Sequence, residues 1–352
     1  MKIVLFARGL WNRAGIERMI VALSNSLCKH YEVIIVVIEP FNKDLAPYSI
    51  NEGISIISLD SYFKAFNVKN IIVLRRLIKK LKPDLLITVA TPLVRISAPA
   101  LFGLNVRNIS WEHFNLYAGS KIGAFWKWIS TFLVEKTVVL CDTDARNFRK
   151  VKARNVVTIP NFSTIGTENE ASSCESKILL AVGRHAEQKG YDMLIKAWAK
   201  VDRTDWKLKI VGSGKLYEQN IKLAESLNVK DYIIFQESTS DIVSEYRNAS
   251  CFVLSSRYEG LVMVLIEARM MGLTCVSFDC ETGPREIIRD KVDGFLVPPG
   301  DIDALAEKLS EVLALGNLKE YALLAREDAM SRYGEDAVVG RWIELITSVK
   351  NK

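Results

Sequence analysis

The chain has 352 residues, 49% hydrophobic and 25% charged, which is enough for two globular domains and excludes a disordered or fibrous protein. The net charge is +6, but the first 165 residues hold 23 Lys and Arg against 11 Asp and Glu, so that half carries +12 and the rest −6. This asymmetry predicts an anionic surface as partner of the first half, and no zinc-knuckle, RNA-recognition or basic-zipper pattern supports nucleic acid.

The first half alternates short apolar runs with helical patterns, which predicts a parallel sheet covered by helices on both faces. A helix is expected from about Ile16 to Cys28, and the basic stretch Arg75–Lys82 predicts an amphipathic helix that ends before Pro83. The predicted strands are Lys2–Ala7, Glu32–Ile38, Ile54–Leu59, Leu85–Val89, Val106–Ser110, Thr137–Leu140 and Val156–Ile159.

Two segments of the first half leave alternatives open. Lys121–Lys136 mixes aromatic residues with lysines, and either a buried helix or a helix at a membrane interface explains it. The basic charge of this half favours membrane contact. The triplet Asp142-Thr143-Asp144 matches a metal-binding pattern of a different transferase fold, but a helical pattern follows it directly. We therefore expect a helix N-cap there and no metal.

The polar stretch Thr164–Ser176 predicts a linker, after which the alternation begins again. A second parallel sheet is thus expected, followed by a helical tail from about Leu318. Ligands of such sheets bind beyond the carboxyl ends of the strands, so the residues that follow each strand are the candidates for chemistry. The predicted strands are Lys177–Val182, Leu208–Val211, Tyr232–Phe235, Cys251–Leu254, Thr274–Phe278 and Gly294–Val297.

Three loops after these strands carry candidate residues. Arg184 and Lys189 follow the first strand of the second half, where two cations stabilise developing negative charge. Gly212 and Gly214 follow the next strand, but a lone G-x-G pattern is weak evidence. The segment around Glu259 leads into a helix expected to begin near Leu261, whose amide groups suit a diphosphate. Its candidates are Glu259, Gly260, Leu261, Val262 and Glu267.

The E-x7-E spacing of Glu259 and Glu267, with GLTCVSFDCETGPREII, DGFLVPPGD and the GR…QKG segment, resembles the retaining glycosyltransferases of family 4. The resemblance covers nearly all of the second half. It implies the GT-B fold, an α/β architecture of two Rossmann-like domains whose parallel sheets face each other across a deep cleft. It also implies that Glu259 contacts the donor sugar, that Glu267 binds the ribose, and that Arg184 and Lys189 bind the diphosphate.

The same resemblance extends to further residues. Gly212 and Gly214 are expected near the nucleotide. Gly15 follows Ala14 where the family usually has two glycines, in a loop close to the donor phosphate and the acceptor. His113, just after a predicted strand, resembles a histidine that contacts the transferred sugar, although a core or surface histidine is the alternative.

We therefore expect three parts: an acceptor and membrane-facing domain (1–165), a nucleotide-sugar domain (166–330) and a terminal helix that crosses back (331–352). The resemblance implies retaining transfer of a hexose or N-acetylhexosamine, with a UDP-sugar favoured, to a lipid-linked glycan or oligosaccharide of a surface polysaccharide or lipopolysaccharide. No cofactor or metal is expected, and the protein is expected in the cytoplasm, at the inner membrane face. The alternatives are a nucleotide-sugar epimerase of the same fold and a non-catalytic nucleotide-sugar-binding partner.

Overall fold

The computed structural model describes residues 1–11, 15–42, 46–61, 68–117, 120–165 and 169–350. The chain divides into two compact units. The first comprises Met1–Phe162 together with Glu335–Lys352, and the second comprises Ser163–Gly334. The first unit is therefore discontinuous in sequence, whereas the second is one continuous segment.

The first unit is built on a seven-stranded sheet. Its strands are β1 (Lys2–Ala7), β2 (Glu32–Val37), β3 (Ser55–Ser58), β4 (Leu85–Val89), β5 (Arg107–Trp111), β6 (Lys136–Val139) and β7 (Val156–Thr158). The helices are α1 (Gly15–Leu27), α2 (Val68–Leu81), α3 (Val94–Leu101), α4 (Lys121–Ser130), α5 (Asp142–Lys150) and, from the end of the chain, α13 (Glu335–Lys350). The strand order is β3-β2-β1-β4-β5-β6-β7, and every pairing is parallel.

The second unit is built on a six-stranded sheet. Its strands are β8 (Ile178–Val182), β9 (Lys207–Val211), β10 (Ile233–Gln236), β11 (Cys251–Leu254), β12 (Thr274–Phe278) and β13 (Phe295–Val297). The helices are α6 (Tyr191–Trp198), α7 (Tyr217–Ser226), α8 (Ile242–Arg247), α9 (Met263–Met270), α10 (Pro284–Ile287), α11 (Ile302–Leu313) and α12 (Leu318–Tyr333). The order β10-β9-β8-β11-β12-β13 is again fully parallel.

Both sheets have the doubly wound order of a Rossmann fold, in which the direction of winding reverses beside the first strand. The reversal lies between β1 and β4 in the first unit and between β8 and β11 in the second. The predicted α/β class with two Rossmann-like domains is therefore confirmed. The strands read as continuous apolar runs because helices cover both faces, and in β2 every residue from Val33 to Val37 is buried.

A buried ion-pair network ties the second unit together. Arg269 on α9 is fully buried and pairs with Asp293 at 2.7 Å and with Asp328 on α12 at 2.9 Å. Burial alone raises the pKa of the Asp293 carboxyl, but Arg269 and Arg289 hold that pKa below its usual value. Asp293, the first aspartate of the DGFLVPPGD motif, is thus a structural residue, since removing one partner of a buried pair strongly destabilises a fold.

The structure corrects two local predictions. The N-cap of α5 is Cys141, so Asp142 and Thr143 lie in the first turn instead, and Asp144 accepts a hydrogen bond from the Leu116 amide at 2.9 Å. The predicted linker belongs to the packing of the second unit: Ile165 is buried in its core, and the Ser172 amide donates to the Met271 carbonyl at 2.8 Å.

Two further features of the chain concern its cysteines and the length of its helices. None of the six cysteines forms a disulfide, and four of them are buried: Cys141, Cys251, Cys275 and Cys280. Within the described ranges, no helix combines the length and apolar character needed to cross a bilayer.

Candidate active site

The predicted residues of the second unit come together where the winding of its sheet reverses. The loop after β8 runs from Gly183 to Gly190, and the loop after β11 runs from Ser255 to Val262. Because β8 and β11 are adjacent parallel strands, these two loops leave the same edge of the sheet side by side. They form the candidate active site of this unit.

Lys189 and Glu259 form an ion pair at the centre of this site. Lys189 Nζ lies 2.7 Å from Glu259 Oε1, and the two side chains are only 15% and 8% exposed. Glu259 has two further donors, since Ser256 Oγ donates to Oε1 at 2.6 Å and Gln188 Nε2 to Oε2 at 3.3 Å. The structure therefore joins the predicted phosphate cation and the predicted sugar-binding carboxylate in one cluster.

Arg257 connects the two loops. Its guanidinium makes a bidentate pair with Asp192 on α6, at 2.9 and 2.7 Å, and it also donates to the Glu187 carbonyl at 2.7 Å. Its backbone amide donates to the Gln188 carbonyl at 2.8 Å. Such a fork-shaped pair fixes both distance and orientation, so the positions of Lys189 and Glu259 are set relative to each other. The sequence analysis did not single out Arg257 or Asp192.

Several glycines of the site are explained by close packing of backbone. Gly190 has φ +61°, and a Cβ there would overlap the Ser255 carbonyl oxygen. A Cβ at Gly212 would overlap the Gly183 carbonyl oxygen, and one at Gly214 would lie 2.5 Å from the His185 carbonyl oxygen. Gly212 and Gly214 are therefore needed for the loop after β9 to pack on the loop after β8. Their predicted place near a nucleotide stays a prediction.

Gly260 is different, because nothing in the chain requires a glycine there. A Cβ built on Gly260 meets no described atom within 4 Å, and its φ lies outside the left-handed region. The space beside its Cα is open, which suits the close approach of a ligand to the backbone. A Cβ built on Gly15, at the start of α1, likewise meets no described atom within 4 Å. Ala14, which precedes it in the predicted loop, lies outside the described residues.

Helix α9 begins at Met263, with Val262 as its N-cap, and not near Leu261 as predicted. The segment after Glu259 is held by the loop that follows β12, since Thr282 Oγ1 donates to the Glu259 carbonyl. Gly283, with φ +100°, packs so closely that a Cβ would lie 2.6 Å from the Gly260 carbonyl oxygen. Leu261 is partly exposed and Val262 is buried, so Leu261 is the more accessible of the two.

Glu267 and Arg184 lie at opposite extremes of exposure. Glu267, in the second turn of α9, is 3% exposed, and its Oε2 lies 3.1 Å from the Tyr246 hydroxyl. Arg184 is exposed, and its guanidinium makes no ion pair or hydrogen bond with the described residues. A solvated guanidinium is available to an anionic ligand, whereas the Glu267 carboxylate is buried and accepts a hydrogen bond from the Tyr246 hydroxyl.

His185, which the sequence analysis did not single out, packs the loop after β8 against helices α6 and α7. Its ring is fully buried, packs on Tyr191 and Tyr217 with centroids 4.9 and 4.8 Å away, and its Nδ1 lies 2.9 Å from Asn220 Nδ2. Burial lowers the pKa of His185 to about 4, so the ring is neutral at physiological pH. The sequence signal for this packing was Tyr217 in VGSGKLYEQ, because an aromatic side chain so close to a glycine loop favours packing over exposure to solvent.

In the first unit, His113 follows β5 and stacks on Trp111 with ring centroids 4.4 Å apart. Neither of its ring nitrogens has a hydrogen-bond partner in the described part of the chain, and burial lowers the pKa of His113 to about 3. The neighbouring Glu112 is buried and accepts hydrogen bonds from the Thr91 amide at 3.2 Å and the Phe114 amide at 3.0 Å. His113 is thus a neutral ring with two unsatisfied nitrogens.

Helix α4 is only partly available at the surface. Ile122 and Phe125 are 71% and 52% exposed, but Lys127 is buried and donates to the Asn115 carbonyl at 2.6 Å. Lys127 therefore anchors the loop that follows His113 and does not face solvent. No group of three or more His, Cys, Asp or Glu that could hold a metal occurs in the described ranges.

The chain is similar to several known glycosyltransferases. A family model described as glycosyl transferases group 1 matches residues 167–327, and one described as Glycosyltransferase Family 4 matches residues 13–163. An uncharacterized glycosyltransferase of Haemophilus influenzae is 30% identical, over 97% of this chain and 98% of its own. The amylovoran biosynthesis glycosyltransferase AmsD of Erwinia amylovora is 29% identical, over 98% and 99% of the two chains.

A third relative carries a more specific description. It is a Campylobacter jejuni alpha-1,4-N-acetyl-D-galactosaminyltransferase that acts on an undecaprenol diphosphate-linked glycan, 28% identical over 97% of both chains. Among solved structures, the lipopolysaccharide outer core galactosyltransferase WaaB superposes with a TM-score of 0.81 at 20% identity over 99% of both chains. Anabaena HepE in complex with UDP reaches 0.83 at 15% identity, over 99% and 100%. These likenesses establish a shared fold.

Proposed function

The chain belongs to family 4 of the glycosyltransferases and has their GT-B fold, and from this premise we propose that it is a retaining transferase that uses a nucleotide diphosphate sugar. The donor is a hexose or N-acetylhexosamine carried by UDP, and the acceptor is a lipid-linked glycan. Its relatives act in bacterial polysaccharide and lipopolysaccharide synthesis. The product is accordingly part of such a surface glycan.

One observation carries the donor-site proposal: cationic and carboxylate side chains converge where the second sheet reverses its winding. Arg184 is exposed there, and Lys189 and Glu259 lie 2.7 Å apart beside the open backbone at Gly260. Cations at this position neutralise a diphosphate, and a carboxylate accepts hydrogen bonds from sugar hydroxyls. The combination suits a ligand with a negative group and a hydroxylated group joined together.

In the proposed reaction the bond between the anomeric carbon and the diphosphate breaks, and negative charge develops on the leaving oxygen. Arg184 and Lys189 stabilise that charge most strongly when it is fully developed, which lowers the barrier. The acceptor hydroxyl then attacks the face that the diphosphate leaves and gives its proton to the leaving diphosphate oxygen, so the anomeric configuration is retained. His113, neutral and with unsatisfied nitrogens, is assigned to a contact with the transferred sugar, and Glu267 to the ribose.

The relatives support the finer parts of the proposal. The Campylobacter protein acts on an undecaprenol diphosphate-linked glycan and forms an alpha linkage, the outcome of retention if its donor is alpha-linked. HepE binds UDP, which supports UDP as the nucleotide here. We assign no metal to the reaction, since two cationic side chains already face the diphosphate position.

We assign the first unit to the acceptor and to an anionic membrane surface. Helix α2 contains five basic and no acidic residues, and Lys79 and Lys80 in its last turn are exposed. Each such residue contributes about 1 kcal/mol near an anionic leaflet. Reversing both charges in Lys79→Glu/Lys80→Glu should lower binding to phosphatidylglycerol vesicles by at least about tenfold in sedimentation. The matched reversal Lys196→Glu/Lys222→Glu in the second unit should have little effect.

The donor proposal is tested by a thermal-shift screen of the purified protein against UDP, GDP, ADP and their common sugars, with chelator and with magnesium. A ligand at about 100 times its dissociation constant stabilises a fold by about 2.7 kcal/mol. We expect UDP compounds to raise the melting temperature, Arg184→Ala to remove that shift, and chelator to leave it intact. If no nucleotide shifts the melt, the donor-site proposal is overturned; conversion of a UDP-sugar without acceptor would make the protein an epimerase.

A further inference from the structure

The proposed donor needs Lys189 for its diphosphate and Glu259 for its sugar, but in the structure these two side chains form an ion pair with each other. We propose that this pair selects the intact nucleotide sugar against the free nucleoside diphosphate, so that it binds the donor and promotes release of the product. The inference rests on the proposed function, because it concerns the same site.

The contacts show what the pair holds in place. Lys189 reaches Glu259 Oε1 at 2.7 Å, while Ser256 and Gln188 donate to the two carboxylate oxygens. Arg257 and Asp192 fix the two loops, so neither side chain can leave the other without a change in its own rotamer. The carboxylate is 8% exposed, and water alone therefore compensates poorly for the loss of its cation.

A diphosphate carries more negative charge than a carboxylate and draws Lys189 away from Glu259. The carboxylate then keeps Ser256 and Gln188 as donors but has lost its counterion, and it also repels the diphosphate at short range. A free nucleoside diphosphate offers nothing in return for this loss. A nucleotide sugar brings hydroxyl groups that donate to Glu259, so the same loss is offset only for the intact donor.

This selection makes an unusual prediction for a residue assigned to ligand binding. Replacing Glu259 by glutamine removes the competitor for Lys189 and the repulsion, so Glu259→Gln should bind UDP about tenfold more tightly than the wild type. The ratio of the UDP dissociation constant to that of the preferred UDP-sugar should fall by a similar factor. Isothermal titration with UDP, and then with UDP-glucose and UDP-N-acetylglucosamine, measures both quantities, with GDP compounds replacing them if the screen selects GDP.

Two controls separate this mechanism from a general charge effect. Glu187→Gln removes an exposed carboxylate from the loop that carries Lys189, and this substitution should change the UDP affinity less than twofold. Lys189→Met by itself should weaken UDP binding. In that background Glu259→Gln should lose most of its effect on the UDP affinity, because Glu259 then has no lysine to hold away from the diphosphate. Glu259→Ala, which removes the carboxylate altogether, should repeat the gain if the glutamine variant does not fold.

The outcomes distinguish the inference from the proposed function. A wild type that binds no nucleoside diphosphate overturns both. A wild type that binds UDP, with Glu259→Gln and Glu259→Ala binding it equally or more weakly, overturns the inference alone. An equal gain from Glu187→Gln also overturns it, since any nearby carboxylate would then act in the same way.

Discussion

Two glycines in the loops of the candidate site differ in what they do for the fold. A Cβ at Gly190 would overlap the Ser255 carbonyl oxygen, whereas one at Gly260 meets no described atom within 4 Å. Gly190 is therefore a folding residue, whereas no packing contact with the described residues requires a glycine at Gly260. Sequence alone does not separate them, since both follow a strand and precede a helix.

This difference predicts opposite effects of two alanine substitutions. Gly260→Ala should change the free energy of unfolding by less than about 0.5 kcal/mol but weaken UDP binding about tenfold, because the methyl group enters the ligand's space. Gly190→Ala should destabilise the fold by about 2 kcal/mol or more, since it adds both a clash and a left-handed strain. Thermal melts and UDP titration of both variants measure this. Loss of stability in Gly260→Ala would contradict the assignment.

The buried histidines predict how stability depends on pH. In the folded chain the pKa of His185 lies at about 4, below the usual 6.5, so the unfolded chain binds a proton first as the pH falls. The stabilisation is complete above pH 6.5 and is lost as the pH falls toward 4, by about 1.4 kcal/mol per pH unit. His113 acts in the same direction.

Denaturant melts between pH 7 and 4.5 check this expectation. His185→Gln should flatten the dependence of the second unit's melt on pH, although it lowers stability at pH 7 by removing well-packed ring contacts. His30→Gln, which changes an exposed histidine, should leave the dependence as it is. An unchanged slope in His185→Gln would mean that another group governs the acid sensitivity.

At the scale of elements, the clamp between Arg257 and Asp192 links the loop after β11 to helix α6. Both side chains are partly exposed, 32% and 41%, so their pair contributes about 1 kcal/mol or less to stability. We expect its contribution to ligand binding to be larger, because Gln188 and Lys189 lie in the loop that it fixes. Arg257→Lys should lower UDP affinity about tenfold with little change in the melt, since lysine cannot make the bidentate pair.

Asp192→Asn should reproduce that loss, and the double variant should be no worse than either single one, because the two residues act through one contact. Titration with UDP and thermal melts of the three variants give the comparison. Additive losses would show that Arg257 contacts the ligand itself and is not a positioning residue.

The elements also show which parts of the structure can be predicted from sequence. The thirteen strands agree with prediction to within one residue at either end, because strands buried on both faces form continuous apolar runs. The start of α9 was predicted two residues early, since Leu261 and Val262 continue the apolar pattern although Val262 is the non-helical N-cap. Asp144 was predicted near a cap, but the Leu116 amide, 28 residues away, binds it instead.

The site shows the same limit. Lys189 and Glu259 were both named from the sequence, but their pairing depends on two loops 70 residues apart that meet at adjacent strands. The role of His185 was missed for a similar reason, because its partners lie on two helices, Tyr191 on α6 and Tyr217 and Asn220 on α7. Residues whose type suits a reaction can be recognised from a short stretch of sequence. The contacts that fix their position and their charged partners cannot be recognised in this way.

At the scale of the whole molecule, the two units differ in continuity, because helix α13 belongs to the first unit although it ends the chain. Trp342 of α13 is buried and packs edge-to-face on Trp111, with ring centroids 5.2 Å apart, and Ser26 donates to Glu335 at 2.8 Å. Residues from outside the continuous segment Met1–Phe162 therefore complete the core of the first unit. The second unit needs no other segment.

This asymmetry predicts the behaviour of fragments. Residues 163–334 should fold alone, with a single cooperative melt in circular dichroism, because their core and their sheet are complete. Residues 1–162 should not, since without α13 they expose Trp111 and the apolar surface beneath Trp342, a loss of several kcal/mol against a typical stability of 5–15 kcal/mol. Joining residues 335–350 to that fragment through a Gly/Ser linker should restore the cooperative melt, and the same construction with Trp342→Ala should do so only weakly. A cooperative melt of 1–162 by itself would show that α13 is an accessory to the first unit and not part of its core.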